Sequence, residues 1–251
     1  MPDIVVHTKF GAEVADRLQA DIDRKIFDFG LLGPDPYLFY RWFVPPFQNR
    51  VNRYSSVMHR EHTGDFLVEL AKRAAFDRAV FSYLCGFLCH YALDSTTHPY
   101  INRKAQNSAV MHMAIEHKLD VMSGGNIRIP PFLPDALCES IGGAIEQIYG
   151  WNDAWEKLRE GRRHMASFYR IVSDRNGTLD RFARKTHTKL RLVSYRSKAI
   201  DRMDLSGFQP LYRSALDDAV RYITAAQSFV DGVIGESQLR EIIGSRSYIK
   251  G

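Results

Sequence analysis

Apolar residues recur at helical spacing along most of the chain. Between residues 11 and 28 they occupy every fourth position, which predicts an amphipathic helix carrying Val14, Leu18, Ile22 and Ile26. Similar patterns predict helices over 66–76, 77–93, 107–122, 135–149, 152–172, 179–198 and 210–233, with Asp77 as an N-cap. Alternation of apolar and polar residues forms no convincing series. The pattern therefore predicts an all-α protein.

Glycine and proline mark the breaks between these segments. Residues 30–36 read Gly-Leu-Leu-Gly-Pro-Asp-Pro, a loop, and Pro130, Pro131 and Pro134 interrupt the chain before residue 135. No internal repeat or low-complexity tract is evident over the 251 residues. We expect a single multi-helix bundle, one domain over 1–251 with a long loop section near the N-terminus.

Composition limits the class of protein. The chain is 45% hydrophobic, enough for a substantial core, yet no apolar run approaches the roughly eighteen residues of a membrane span. No basic region followed by an apolar stretch opens the sequence, so a signal peptide is not expected. Cys85 and Cys89, one helical turn apart in an apolar segment, favour buried thiols over a disulfide. These features predict a cytoplasmic protein.

The mild positive charge favours partners that carry phosphate. Lysine and arginine number 34 against 29 acids, a net charge of +5. Basic residues gather at Arg162-Arg163 and again at Arg181, Arg184, Lys185, Lys189 and Arg191. Solvated helix faces account for both clusters, and no compact nucleic-acid motif is present. No stable nucleic-acid partner is expected.

Histidines and acids at four-residue spacing form the candidate chemistry. His90, Asp94 and His98 follow one another at intervals of four, and His112 precedes Glu116 by four. Residues four apart share one face of a helix, so each pair can aim two ligand atoms at one point. Imidazole and carboxylate together suit zinc without any cysteine.

The competing interpretation is that these are satisfied core or surface histidines. A single histidine on an apolar face usually is one, but two His-x-x-x-acid pairs with a third histidine are hard to obtain by accident. Residues 81–89 are almost wholly apolar, so Asp94 is expected to be buried and to need a cation. Di-iron bundles use Glu-x-x-His, and zinc proteases use His-Glu-x-x-His, and neither string occurs here. We favour a multinuclear metal site.

Three residues further upstream extend the set. Asp35 lies in the rigid Gly-Pro-Asp-Pro turn, His59 in Met-His-Arg-Glu-His, and His7 close to the start of the sequence. Taken singly, Asp35 is an ordinary turn residue, and the two histidines are polar groups at helix edges. Their order along the chain, together with the residues above, is what makes them candidate metal ligands.

In that order the residues resemble the ligands of the zinc-dependent phospholipase C family, whose fold is shared with the fungal single-strand zinc nucleases. Residues 30–40 and 58–66 are similar to the bacterial intracellular branch, and the resemblance covers roughly residues 1–125. It implies an all-α bundle with two to three zinc ions. It assigns Asp35, His59, His90 and Asp94 to the first zinc, His98, His112 and Glu116 to the second, and His7 with a bridging Asp94 to the third.

One departure concerns the third zinc. Secreted members of the family ligate it with an N-terminal tryptophan, which this sequence lacks, so Pro2 or Asp3 would have to substitute.

The resemblance implies a zinc-dependent phosphodiesterase that uses zinc-activated water to hydrolyse a phospholipid at a membrane surface or a related phosphodiester. Asp35 would be either a zinc ligand or the general base, and both roles stay open. Two alternatives are a nuclease-like phosphodiesterase and a non-catalytic domain whose metals only hold helices together. The aromatic-rich stretch 36–47 fits a lipid-facing rim or a base-stacking surface, although core packing explains most of its rings.

Overall fold

Helices account for all the regular structure that is described. The structure, a computed structural model, describes residues 4–18, 20–45, 48–106, 108–131, 133–186, 192–198 and 200–248. These residues form twelve α-helices and no β-strand, which confirms the predicted all-α class. In chain order they are α1 (Ile4–Arg17), α2 (Arg24–Gly30), α3 (Pro36–Phe39), α4 (Asn52–Met58), α5 (Thr63–Ala74), α6 (Arg78–Ala105), α7 (Ala109–Ser123), α8 (Asp135–Tyr149), α9 (Ala154–Val172), α10 (Thr178–Lys185), α11 (Phe208–Val230) and α12 (Glu236–Ile243).

The long helix α6 runs through the centre of the fold. Asp77 caps its start, as predicted, by accepting a hydrogen bond from the backbone N–H of Ala79 at 2.8 Å. The helix continues past residue 93, the predicted end, and includes Pro99. It packs against α1, α2, α5, α7, α8 and α11. A helix enclosed on every side must be apolar around its whole circumference, which explains the unbroken apolar run at 83–89.

Two glycines bring α2 against α6. A Cβ on Gly86 would overlap the carbonyl oxygen of Phe27, and a Cβ on Gly30 would overlap that of Tyr83. Only residues without side chains permit so close a crossing. The turn that follows α2 is consequently pressed onto α6, and this turn carries Asp35.

Two further predicted helices were wrong in their extent. The predicted helix over 11–28 is two helices, because Asp23 adopts an extended conformation and caps α2 by accepting from the N–H of Lys25 at 2.8 Å. The predicted helix over 179–198 is represented only by α10, which ends at Lys185. Part of that prediction, including Lys189 and Arg191, lies outside the described residues. Helices α3, α4 and α12 were not predicted.

The second half of the chain supports the first. Helix α11 packs along α6 and α1, while α8 and α9 cover α5 and α3. Apolar side chains from all these helices form a continuous core. Within the described part of the chain, no helix combines the length and apolar character required to cross a bilayer.

Candidate metal centre

The eight residues singled out in the sequence converge on one buried region. They come from five places in the chain: His7 on α1, Asp35 in the turn before α3, His59 just after α4, His90, Asp94 and His98 on α6, and His112 with Glu116 on α7. Seven of them are buried, and His112 is half-buried. The ligand atoms of seven of them form two groups that can each hold a metal ion, Asp35–His59–His90–Asp94 and His98–His112–Glu116.

The first group has tetrahedral spacing. The Nε2 atom of His59 lies 3.4 Å from Asp35 Oδ1, 3.4 Å from His90 Nε2 and 3.6 Å from Asp94 Oδ2. The Nε2 atom of His90 lies 3.4 Å from Asp94 Oδ2 and 3.7 Å from Asp35 Oδ1. Tetrahedral ligands placed about 2.1 Å from a zinc ion lie about 3.4 Å from one another. The spacing of the donor atoms therefore fits zinc.

The carboxylate of Asp94 faces histidines on both sides. Its Oδ1 lies 3.2 Å from His7 Nε2, and its Oδ2 lies 3.6 Å from His98 Nε2. Among the described residues neither oxygen forms a hydrogen bond, and the same holds for Asp35 Oδ1 and His98 Nε2. Buried carboxylate oxygens left without hydrogen bonds are costly unless a cation is present. These buried atoms without hydrogen bonds are therefore a second observation that fits a metal ion.

The second group is smaller and more open. The Oε1 atom of Glu116 lies 2.6 Å from His112 Nε2 and 3.8 Å from His98 Nε2. The His112 side chain is 22% exposed, in contrast to the members of the first group. Three donors with one accessible side are typical of a zinc site that keeps a position for water or substrate.

Backbone carbonyl oxygens orient the two histidines of the first group. The Nδ1 atom of His59 lies 2.7 Å from the carbonyl oxygen of Ser55, and that of His90 lies 3.2 Å from the carbonyl oxygen of Leu31. An Nδ1–H that donates to a carbonyl leaves Nε2 as the atom that can bind a metal. Both Nε2 atoms point into the first group.

Gly33 makes room for the His90 ring. Its φ is +51°, and a Cβ at this position would overlap the imidazole. Glycine is the residue that reaches this conformation without strain and leaves the space free. The turn therefore needs Gly33 for both its backbone and its contact with the centre.

Burial and neighbouring charges shift the pKa values of these histidines in different directions. Burial lowers the pKa of His90 to about 4 and that of His112 to about 3, and it also lowers the pKa of His98. Burial acts in the same direction on His59, but the contacts with Asp35 and Asp94 outweigh it and raise its pKa to about 9. Neutral imidazole is the form that binds metal, so His59 is the one that must release a proton.

Sequence reasoning missed Asp120, which fixes the start of α1. Its carboxylate accepts hydrogen bonds from the backbone N–H groups of Val5 at 3.0 Å and Val6 at 2.8 Å, and from the Tyr195 hydroxyl at 2.8 Å. Asp120 thereby ties α1, which carries His7, to α7. It follows Glu116 by four residues, so extending the four-residue pattern by one step would have found it.

A cleft of about 760 Å³ opens beside both groups. Its wall includes Asp35, His112 and Glu116 together with the apolar side chains Ile4, Leu31, Leu32, Leu38, Phe39, Trp42, Met113, Met165, Phe168 and Tyr248. The aromatic stretch is divided between core and cleft. Tyr37 and Tyr40 are core residues, Phe39 and Trp42 contact Phe168 in the cleft wall, and Phe43 is 61% exposed. Phe47 lies outside the described residues.

The other described histidines are not members of the two groups. His62 is exposed and contacts Asp65 at 3.1 Å, and the ring of His117 packs against Tyr195. His164 accepts a hydrogen bond from the Arg41 N–H. His187 and the predicted N-terminal substitutes Pro2 and Asp3 lie outside the described residues.

Comparison with known proteins identifies the pattern. A family model described as zinc dependent phospholipase C matches residues 6–196, well over half of the chain. The match extends beyond the first 125 residues, where the resemblance was seen in the sequence. No curated protein and no solved structure matches the chain.

Proposed function

The chain belongs to the zinc-dependent phospholipase C family, and from this premise we propose that it is a phospholipase C-like phosphodiesterase that uses two to three zinc ions. The first group, Asp35–His59–His90–Asp94, would hold one ion, and the second group, His98–His112–Glu116, would hold another. His7, facing the free side of Asp94, would contribute to a third. The cytoplasmic location expected from the sequence stays a prediction.

The position of the second group carries this proposal. His98, His112 and Glu116 supply three donors at the wall of a cleft large enough for a small diester. A site that only braced helices would be closed by four protein ligands, whereas a catalytic site keeps an open position. The three-donor group beside a cleft therefore favours catalysis over a purely structural role.

The residues of the centre have separate tasks in this reaction. Zinc, when bound, would neutralise the charge of the phosphate and lower the pKa of water. Asp35 lies at the cleft wall, and its Oδ1 forms no hydrogen bond to any described residue, so it can serve as a ligand or accept a proton from the attacking water. His90 and His112, whose pKa values burial lowers to about 4 and about 3, stay neutral at pH 7 and can bind metal.

The lining of the cleft favours a substrate with an apolar portion. Leucine, phenylalanine, tryptophan and methionine side chains line the cleft, and Arg60 is also part of its lining. Apolar walls bind hydrocarbon by excluding water, and an arginine complements a phosphate. A phospholipid or a related diester suits this combination better than a nucleic acid strand, which would require a basic groove along its backbone.

Metal content and hydrolysis, measured on the same sample, test the proposal. Protein purified without chelator is expected to contain two to three zinc ions by elemental analysis and to hydrolyse bis(4-nitrophenyl) phosphate until a chelator is added. Glu116→Gln should lose most of this activity, because a neutral amide binds zinc poorly. His62→Ala is the matched control, since it removes an exposed histidine outside the centre.

Substrate class is tested next, with a short-chain phosphatidylcholine and a single-stranded oligonucleotide. Faster hydrolysis of the lipid would support the phospholipase C type, and faster hydrolysis of the oligonucleotide would favour the nuclease. Bound zinc without turnover of any diester, together with unfolding on zinc removal, would favour structural metals and contradict the proposal.

A further inference from the structure

A tyrosine near the end of the chain lies against the metal centre. Tyr248 is 1% exposed, and its ring packs edge-on to that of His59, with the centroids 4.4 Å apart. Its ring centroid is also 6.0 Å from that of His90 and 6.3 Å from that of His98. The side chain therefore packs against the first group, lies beside the second, and forms part of the cleft wall.

The segment that carries Tyr248 is held at several points. The backbone N–H of Tyr248 donates to the carbonyl oxygen of His59 at 3.1 Å. Two residues earlier, the Arg246 N–H donates to the Tyr91 hydroxyl at 2.7 Å, and its guanidinium contacts Asp218 at 2.9 Å. These contacts hold the Tyr248 ring against the centre.

The hydroxyl of Tyr248 is buried, and no described residue forms a hydrogen bond with it. A buried hydroxyl without a partner costs stability, whereas phenylalanine would fill the same space without that cost. The phenol is also a hydrogen-bond donor at neutral pH. A buried donor at the wall of a cleft is best explained by a partner that arrives with the ligand.

We propose that the Tyr248 hydroxyl is a catalytic residue that donates a hydrogen bond to a phosphoryl oxygen of the bound phosphodiester. This inference rests on the proposed function and names a substrate contact within the same site. The family match ends at residue 196, so Tyr248 belongs to a part of the chain that the match does not cover. The hydroxyl would bind a phosphate oxygen without adding charge, beside a centre where zinc, when bound, would supply positive charge.

Removal of the hydroxyl alone gives the sharpest test. Tyr248→Phe keeps the ring that packs on His59 and removes only the donor. We expect kcat/KM for bis(4-nitrophenyl) phosphate to fall roughly 10- to 100-fold, the effect of losing one hydrogen bond to a charged group. The zinc content should not change, and the Tm should stay the same or rise. Lower activity with undiminished stability is not the signature of a structural residue.

Tyr222→Phe is the matched control. Tyr222 is also fully buried, and it lies on α11 outside the lining of the cleft. Its loss of a hydroxyl should leave kcat/KM within about twofold of the parent. Unchanged kcat/KM in Tyr248→Phe would overturn the inference. A loss of zinc from Tyr248→Phe would also overturn it, because the hydroxyl would then be a metal ligand.

Inorganic phosphate separates this inference from the proposed function. It carries the same phosphoryl oxygens and needs no hydrolysis, so its affinity for the zinc-loaded protein can be measured by calorimetry. Weaker phosphate binding by Tyr248→Phe, roughly 10-fold, would support the contact even if no diester were turned over. Equal affinity in the parent and the variant would contradict the contact even if the parent is an active phosphodiesterase.

Discussion

The two metal-ligand groups differ in how completely the protein encloses them. The first group has four buried donors, and five of its six donor pairs are 3.4–3.7 Å apart. The second has three donors, one of which is half-exposed beside a cleft. Enclosure favours a metal that stays bound, and an open side favours one that exchanges ligands. We infer that the first group stabilises the centre and the second meets the substrate.

The sequence positions of the ligands explain this difference. Asp35 and His59 reach the first group from turns at the ends of short helices, and α6 supplies His90 and Asp94 from the middle of the fold. The second group depends on α7, which packs at the side of α6 and leaves His112 toward the cleft. Central helices are enclosed on all sides, whereas a peripheral helix can present one face to a ligand.

Loss of the shared carboxylate should have the largest effect. Asp94→Asn replaces a carboxylate that faces His7, His90 and His98, so zinc is expected to leave both groups. Activity should fall at least about 1,000-fold, because several kcal/mol of charge stabilisation disappear. If the variant kept one zinc ion, one of the two groups would bind zinc without Asp94, and the expectation would be wrong.

Removal of the exposed ligand should affect only the second group. His112→Ala is expected to lower zinc content by one ion and activity by about 100-fold or more, the loss of several kcal/mol of transition-state stabilisation. The first zinc and the thermal stability should change little, because His112 lies at the cleft and outside the core. Elemental analysis and a melting curve check both expectations. A variant that loses every zinc would erase the distinction between the groups.

Crowding His90 should weaken only the first group. In Gly33→Ala the new methyl overlaps the imidazole, and the residue must also adopt a positive φ. The free energy of unfolding is expected to fall by about 1–3 kcal/mol, because the backbone is strained and the ring is displaced. Gly232→Ala is the matched control, because Gly232 has φ +72° but no described atom lies near its added Cβ. Similar losses in both variants would mean that backbone strain alone explains the effect.

The smallest expected effect is a difference in pH dependence between the groups. The pKa of His59 is raised to about 9, so below pH 9 zinc must displace its proton. Affinity of the first group for zinc should therefore rise up to tenfold per pH unit from pH 7 to pH 9. His112, with a pKa lowered to about 3, is already neutral, so the second group should show less change. Zinc titration of metal-free protein at pH 7 and pH 8 measures this difference. An equal change in zinc affinity at both groups would contradict the prediction.

Many of the centre's residues can be predicted from the sequence, because residues four apart lie on the same face of a helix. His90, Asp94 and His98 share one face of α6, and burial of that face follows from the apolar run before it. The prediction for residues 11–28 failed where a single acid at Asp23 began a new helix inside an apparently continuous pattern. Periodicity reports which face is apolar and cannot show where the backbone turns.

The sequence by itself determined the all-α class, the residues able to bind metal and their order along the chain. These properties are local, because side-chain chemistry and four-residue spacing need only neighbouring residues. Only the tertiary structure decided that His7, Asp35 and His59 meet α6, that Asp120 anchors α1, and that Tyr248 lies on the centre. Such contacts join residues more than a hundred positions apart in some cases, and packing of helices, rather than any repeat in the sequence, brings them together.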